Sequence, residues 1–235
     1  MAARAGVSST TVHRLWRAHA LQPHRTQTFK FTKDPAAEQK ILDVVGLYLA
    51  PPTNAVVLSV DEKTQIQALE RSQPLLRLRS NLPARQTHDY RRHGLTSLYA
   101  ALEVGSGRVT GECSARHTGA DFLRFLKRLA RQYRRRDLHV ILDNSSTHST
   151  PAVKAWLLRN PRVRFHFTPT GASWLNMIEA WFGILTRKAV RRGSFTSVRA
   201  LVQHIELFLA HWNENPTPFV WTKEPAEIIR KAVRR

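Results

Sequence analysis

A single cysteine, Cys113, excludes an intrachain disulfide and fits a reducing compartment. The opening residues, MAARAGVSST, hold no apolar signal core, so the expectation is a cytoplasmic, nucleoid-associated protein. No apolar run is long enough to span a bilayer and no basic amphipathic helix stands out, so no membrane partner is expected. Internal repeats and low-complexity tracts are also missing. Acidic residues are scarce: 17 Asp and Glu stand against 37 Lys and Arg, a formal net charge of +20. Spread along the chain, that excess repels itself in a compact state unless a polyanion offsets it. Some basic proteins are merely soluble, but nucleic acid is the first candidate partner, because neutralising phosphates releases counterions. What is plentiful is apolar: 42% of the 235 residues are hydrophobic, enough for one sizeable core with a small appendage.

The stretch AARAGVSSTTVHRLWRAHAL reads as a helix end, a turn at Gly6, and a second helix capped by Ser8 or Ser9. Val12, Leu15 and Trp16 recur there at helical spacing. This is the pattern of a helix-turn-helix with Arg14 as a candidate DNA contact, although an ordinary helical hairpin fits equally well. Met1 stands only a few residues before the turn, so residues 1–22 are expected to be a remnant lacking its supporting helices. Residues 22–37, with Pro23 and Pro35, read as a linker, and a helix from Ala36 to Leu49 is closed by Pro51-Pro52. Residues 23–53 therefore connect the remnant to a main domain, 54–235.

Strands and helices alternate from there. AVVLSVD (55–61) is a continuous apolar run ending in a carboxylate. SLYAALEV (97–104) and RVTGECS (108–114) flank Gly105-Ser106-Gly107, a hairpin signal. Thr118 and Asp121 are spaced to cap a helix whose Phe122, Phe125, Leu126 and Leu129 form one face. HVILDN (139–144) is a second buried strand ending in a carboxylate, and VRFHFTP (163–169) a further strand. Ser173 to about Arg191 and Val198 to about His211 read as closing helices. A hairpin start followed by parallel strands with helical crossovers predicts a mixed α/β sheet, with acidic residues at the carboxyl ends of strands.

Three carboxylates stand out. Asp61 and Asp143 each terminate an apolar strand, and Glu179 lies in SWLNMIEAWFGILTRK, beside a stripe of Trp174, Met177, Ile178, Trp181 and Leu185. Taken singly, each has an ordinary reading as a cap or as the partner of an arginine. Together they suit phosphodiester chemistry. Two Mg²⁺ ions about 3.5–4 Å apart stabilise the attacking and leaving oxygens of an in-line displacement. Such hard cations take a few carboxylates while keeping waters and phosphate oxygens.

Five blocks make a resemblance specific: LSVDEKTQIQALERSQP, THDYRRHGLTSLYAALEVGSGRV, VILDNSSTHSTPAV, HFTPTGASWLNMIEAWFGILTRKAVRRGSF and HWNENPTPFVWT. They run in order from about residue 56 to 222, and in this the chain resembles the DDE transposases of the mariner superfamily, in particular the bacterial insertion-sequence group six-thirty. The resemblance implies a ribonuclease-H-like core using two Mg²⁺ ions, for which Mn²⁺ can substitute. It places the family's three acidic ligands on Asp61, Asp143 and Glu179, with Asp61 shared by both metals. It implies cleavage of double-stranded DNA at terminal inverted repeats, joining to target DNA, and a homodimer acting on paired ends.

Neighbouring residues take supporting readings. Glu62 points to the opposite face from Asp61 and is left as a structural or supporting residue. Asn144 and His148 share the DNSSTH block; His148 either approaches the phosphate or is a locally bonded loop histidine. Asn176, one helical turn before Glu179, is placed to brace it. Arg91, Arg92, Arg187, Lys188, Arg191 and Arg192 are candidate phosphate contacts, the last four following Glu179 on one helix. Arg134-Arg135-Arg136 reads as a solvated turn, and Trp174, Trp181, Trp212 and Trp221 as core aromatics. Three rival readings remain: a DNA-binding regulator, a nuclease that cuts without joining, and an inactive transposase remnant.

Overall fold

Alternating and continuous apolar runs pair here into one five-stranded sheet. The structure is a computed structural model and describes residues 2, 6–19, 32–72 and 89–232. The chain divides into two compact units, Met1–Lys30 and Phe31–Arg235. In the first, Gly6 turns the chain at a φ of 62°, and α1 (Ser9–Ala18) begins at Ser8, whose hydroxyl accepts from Thr11 N at 3.1 Å. Val12 is its buried residue and Arg14 is exposed. Residues 3–5 of the expected preceding helix and 22–31 of the expected linker lie outside the described residues.

In the second unit the strands are β1 (Ala55–Arg71), β2 (Tyr90–Glu103), β3 (Val109–Ser114), β4 (Asp137–Leu142) and β5 (Val163–Phe167), in the spatial order β3-β2-β1-β4-β5. The first three form an antiparallel meander, and β4 and β5 add parallel to β1. The strands buried on both faces are the unbroken apolar runs, Val56–Val60 and Leu138–Leu142, as a central parallel pair requires.

β1 corrects the expected strand end at Asp61. It continues ten residues further, paired with β2 as far as Arg71 opposite Tyr90. The polar run Glu62–Gln65 hid this continuation. A bulge between Lys63 and Ile66, where Gln65 takes a φ of 55°, resets the register so that Ile66 and Ala68 turn inward. Asp61 nevertheless keeps a strand-end position in another sense: β1 pairs with β4 only through Ser59 opposite Ile141, so Asp61 stands just past the carboxyl end of the parallel pairing. β2 likewise starts earlier than expected, at an exposed outer half. The β2–β3 turn forms as expected, and Gly107 (φ 74°) is required there, since a Cβ would lie 2.4 Å from the backbone of Thr217.

Helices cover both faces. On one, α3 (Gly119–Gln132) and α4 (Pro151–Leu158) bury Phe122, Phe125, Leu126, Leu129 and Val153 against Leu58, Val60 and Val140. α3 starts with the expected capping box of Thr118 and Asp121. On the other face, α2 (Ala37–Leu49), α5 (Ile178–Leu185) and α6 (Val198–Glu214) pack around fully buried Trp181, and α7 (Pro225–Ala232) lies against α2. Each large side chain buried this way contributes roughly 1.5–3 kcal/mol.

The expected single helix over Ser173–Arg191 is three pieces: a 3-10 turn at Ser173–Leu175, α5, and a π turn at Thr186–Val190. The first break frees Asn176 to leave the helical path. At the second, the Thr186 hydroxyl donates to the Phe182 carbonyl at 2.7 Å, and Arg191 N closes on Thr186 O, five residues back. Trp174, read as core, is 50% exposed on the 3-10 turn, whereas Trp181 is wholly buried and Trp212 and Trp221 are partly so.

Candidate active site

Asp61 is built into β1 from below. Period-two alternation puts Ser59 and Asp61 on the sheet face that α5 covers. The Ser59 hydroxyl accepts from Ile178 N at 2.9 Å and donates to the Asn176 side-chain oxygen. The Asn176 amide donates to Val60 O at 2.9 Å and to one Asp61 oxygen at 3.3 Å. Tyr48 on α2 completes the anchor, donating to Leu175 O at 2.8 Å. Asn176 is thus a brace for Asp61, and its side chain is turned to β1 instead of Glu179, which corrects the expected contact. The helical break at 176–177 is the reason, since a continuous helix would have aimed that side chain elsewhere.

Burial pushes the Asp61 carboxyl up to about 7. The Glu62 N–H on its other oxygen, at 2.8 Å, works against the rise, while the negative charges of Asp143 and Glu179 add to it. Asp61 therefore feels both other carboxylates although none of the three comes from an adjacent stretch of chain.

Asp143 follows β4 directly. Its side chain accepts from Ser145 N at 3.0 Å and lies 3.1 Å from His148 Nδ1, and the His148 bond holds its carboxyl below the usual range. His148 is buried in the 3-10 turn Ser146–Ser149, its ring 4.3 Å from that of Phe122. Its Nδ1 also bonds the Asp143 carbonyl at 3.1 Å, and its Nε2 stands 3.5 Å from Glu62 on the far face of β1. Burial alone would push the imidazole down; the two carboxylates outweigh it and raise it to about 9. His148 is thus a cation clamped between Asp143 and Glu62. The Glu62 oxygen that faces His148 is buried and makes no shorter polar contact among the described residues.

Glu179 sits in the first turn of α5, its N–H bonded to Asn176 O at 3.1 Å. It is exposed, more so than its place beside the apolar stripe implied, and among the described residues no ion pair engages it. The reading of Glu179 as an arginine partner is therefore not realised. Asn144 braces the loop after β5, donating to Thr168 O at 3.0 Å and Thr170 Oγ1 at 3.3 Å.

These residues fit a divalent-cation site by donor chemistry: three carboxylates from β1, the β4 exit and α5, with a like-charge penalty on Asp61 that a cation relieves. The arrangement is open. Among the described residues no three acidic, imidazole or thiol groups already enclose a common point.

The basic candidates divide. Arg91 lies opposite Glu70 on the β1–β2 ribbon, and Arg92 stacks over Tyr90 at 5.5 Å. Arg71, at the same end, donates to Arg191 O at 3.1 Å, and Phe195 N bonds Leu69 O at 2.8 Å. Hence Arg91, Arg92, Arg191 and Arg192 gather at the far end of one ribbon, although they lie in distant stretches of the chain. Arg187 and Lys188 are exposed in the π turn, Arg187 folded back over Gly183. Ser59 was the functional residue missed in the sequence; its position two residues before Asp61, on the same strand face, was the signal.

The family model for the DDE superfamily endonucleases matches residues 56–202. A curated relative, the insertion element IS630 uncharacterized 39 kDa protein of Shigella sonnei, is 29% identical over 123 residues, covering 52% of this chain and 35% of the relative. The chain thus corresponds to about a third of that relative's length. Among solved structures, the Mos1 mariner paired-end complex with Mn superposes at a TM-score of 0.59 with 15% identity, covering 89% of this chain and 65% of that one. The Mos1 paired-end complex with Mg gives 0.58 with 16% identity over 92% and 67%, and the Mos1 strand transfer complex 0.57 with 15% identity over 93% and 73%. At such identities these likenesses establish the fold, a ribonuclease-H-like mixed sheet with flanking helices. With most of its sheet and all three carboxylates inside the matched span, the chain belongs to the DDE superfamily of endonucleases.

Proposed function

We propose that this chain is the catalytic region of a transposase that cuts double-stranded DNA at the terminal inverted repeats of its element and joins the freed ends to target DNA. The observation that carries the reading is the convergence of Asp143 and Glu179 on buried Asp61, whose carboxyl burial lifts to about 7 and whose two acidic neighbours raise it further, in a protein otherwise crowded with cations. Two Mg²⁺ ions, or Mn²⁺ in their place, would supply an activated attacking oxygen and a stabilised leaving oxygen when bound there. Asp61, influenced by both other carboxylates, is the shared ligand, and Asp143 and Glu179 serve one ion each.

The remaining residues orient these three. Asn176 and Ser59 fix one oxygen of Asp61, and His148 fixes Asp143 against rotation. Arg91, Arg92, Arg191 and Arg192, with Arg187 and Lys188, take phosphates leading away from the metals, and Arg14 makes a contact from the first unit. The analogy of Mos1, a mariner transposase captured in paired-end complexes with Mn and with Mg and in a strand transfer complex, supports divalent metals, joining and action on paired ends, for which we propose a homodimer.

The test is cleavage and joining of a duplex carrying the element's terminal repeats, with Mg²⁺ or Mn²⁺, beside Asp61→Asn, Asp143→Asn and Glu179→Gln. Products should require the metal and fall at least about a hundredfold in each variant. Undiminished cutting in Asp143→Asn, or a folded protein without metal-dependent cutting, refutes the proposal.

A further inference from the structure

In the helical layer on the other side of the sheet from α5, two adjoining concavities of about 690 and 400 Å³ open along α3. Lys127 and Arg131 line both. The first begins at Gly119 and Pro151, next to the turn that carries His148, and the second ends at Arg134, Trp156 and Arg162. Among the described residues no acidic side chain lines either one. By contrast, the concavity between β3 and α6, about 480 Å³, contains Glu112 and Glu206 beside Arg128.

The groove's cations are not all spoken for. Arg124 pairs with Glu112 and Asp121, and the Arg162 guanidinium is consumed by the carbonyls of Ala130, Tyr133 and Arg136. Lys127, Arg131 and Arg134 are exposed and form no ion pair with any described residue. A helix dipole accounts for Arg131 in the last turn of α3 but not for the whole set. Lys127 is in mid-helix, and carbonyls at the C-terminal end of α3 are already satisfied by Arg162. Lys127 and Arg131, at i and i+4, lie on one stripe of α3 and about 6 Å apart along its axis, and Arg134 stands in the turn just past the helix end. One strand of B-DNA presents a phosphate every ~3.4 Å of axial rise, so the Lys127–Arg131 span matches about two phosphates, with Arg134 beyond them. Trp156, the aromatic of the groove, is partly buried against the core, which leaves no stacking platform for unpaired bases.

We propose that the α3 groove seats the phosphate backbone of duplex DNA, without regard to sequence and apart from the phosphates handled at the carboxylates. The contact is electrostatic, with Lys127, Arg131 and Arg134 as its anchors and the paired Arg124 as its border toward β3.

The experiment is the salt dependence of binding to a random-sequence duplex, measured without metal, for the whole chain and two variants. Lys127→Ala/Arg131→Ala removes two groove cations; Arg199→Ala/Arg230→Ala removes two exposed cations from α6 and α7 as a charge-matched control. Each phosphate contact contributes about 0.9 to the slope of log K against log salt, so the groove pair should flatten it by about 2 and the control by much less. Equal flattening by both pairs, which is a general charge effect, overturns the proposal, and so does an unchanged slope in the groove pair. All four positions are exposed, and a circular-dichroism melt confirms that the variants fold. Because this binding needs neither metal nor cleavage, its outcome is independent of whether the chain cuts and joins DNA.

Discussion

Asp61→Asn should stabilise the metal-free protein at alkaline pH. The carboxyl titrates near 3.8 when unfolded and at about 7 in the fold. Between those values the native state holds a proton that the unfolded chain has released, so stability falls as pH rises from about 4 to 7 and is level above. A rise of about three units corresponds to roughly 4 kcal/mol of destabilisation at pH 8, and Asp61 is only 9% exposed, so little is lost to solvent screening. The asparagine amide sets one N–H against either the Glu62 N–H or the Asn176 amide, costing about 1 kcal/mol. The net gain at pH 8 is therefore about 3 kcal/mol, or roughly 6–12 °C in Tm for a unit of this size. At pH 5 the charge penalty is only about 1.6 kcal/mol, and the gain shrinks below about 1 kcal/mol. Thermal unfolding in EDTA at the two pH values measures both. Millimolar Mg²⁺ should raise the Tm of the wild type at pH 8 and close much of its gap to the variant. A variant that is less stable at pH 8, or equally stabilised at both pH values, refutes the idea that Asp61 is held in a like-charged, cation-seeking site.

His148 titrates the other way round in its consequences. Its folded value of about 9 lies above the unfolded 6.5, so its contribution is complete below 6.5 and is lost as pH climbs through 9. His148→Gln should cost about 3 kcal/mol at pH 6 and far less at pH 9.5, read by urea unfolding; a cost independent of pH would mean that packing on Phe122 alone keeps the histidine. The tryptophans separate by burial: Trp181→Ala should cost about 3–5 kcal/mol and Trp174→Ala less than about 1, measured in the same way. A large loss on removing Trp174 would contradict its position on the surface.

The fold was legible wherever one local rule decided the outcome. The capping box at Thr118 and Asp121, the apolar face of α3 and the glycine turn before β3 each follow from a short run of residues, and each forms as read. The misreadings share a cause, which is hydrogen bonding that residue polarity and periodicity do not report. Glu62–Gln65 look like the end of a strand, yet the antiparallel partner carries β1 on to Arg71 through a bulge. SWLNMIEAWFGILTRK has the periodicity of one helix, but the hydrogen bonds of Asn176 to β1 and of Thr186 to Phe182 divide it. Periodicity reports which residues face the core and is blind to side chains that compete for the backbone's own partners.

The same blindness decides what could be seen of the site. The three carboxylates were visible because each sits beside an apolar run with its own signature. The supports that tie them to the rest of the fold were not, because these are long-range contacts: Ser59 and Tyr48 with the 175–178 segment, Asn176 with Asp61, and Glu62 with His148. Glu62 shows how an argument from strand alternation can be right and still incomplete. Alternation correctly sends it to the face opposite Asp61, but that face is occupied by the histidine that grips Asp143. The adjacent acidic residues of β1 therefore act on the two sides of one sheet. Asp61 presents its charge toward Asp143 and Glu179, while Glu62 holds, through His148, the loop on which Asp143 is carried.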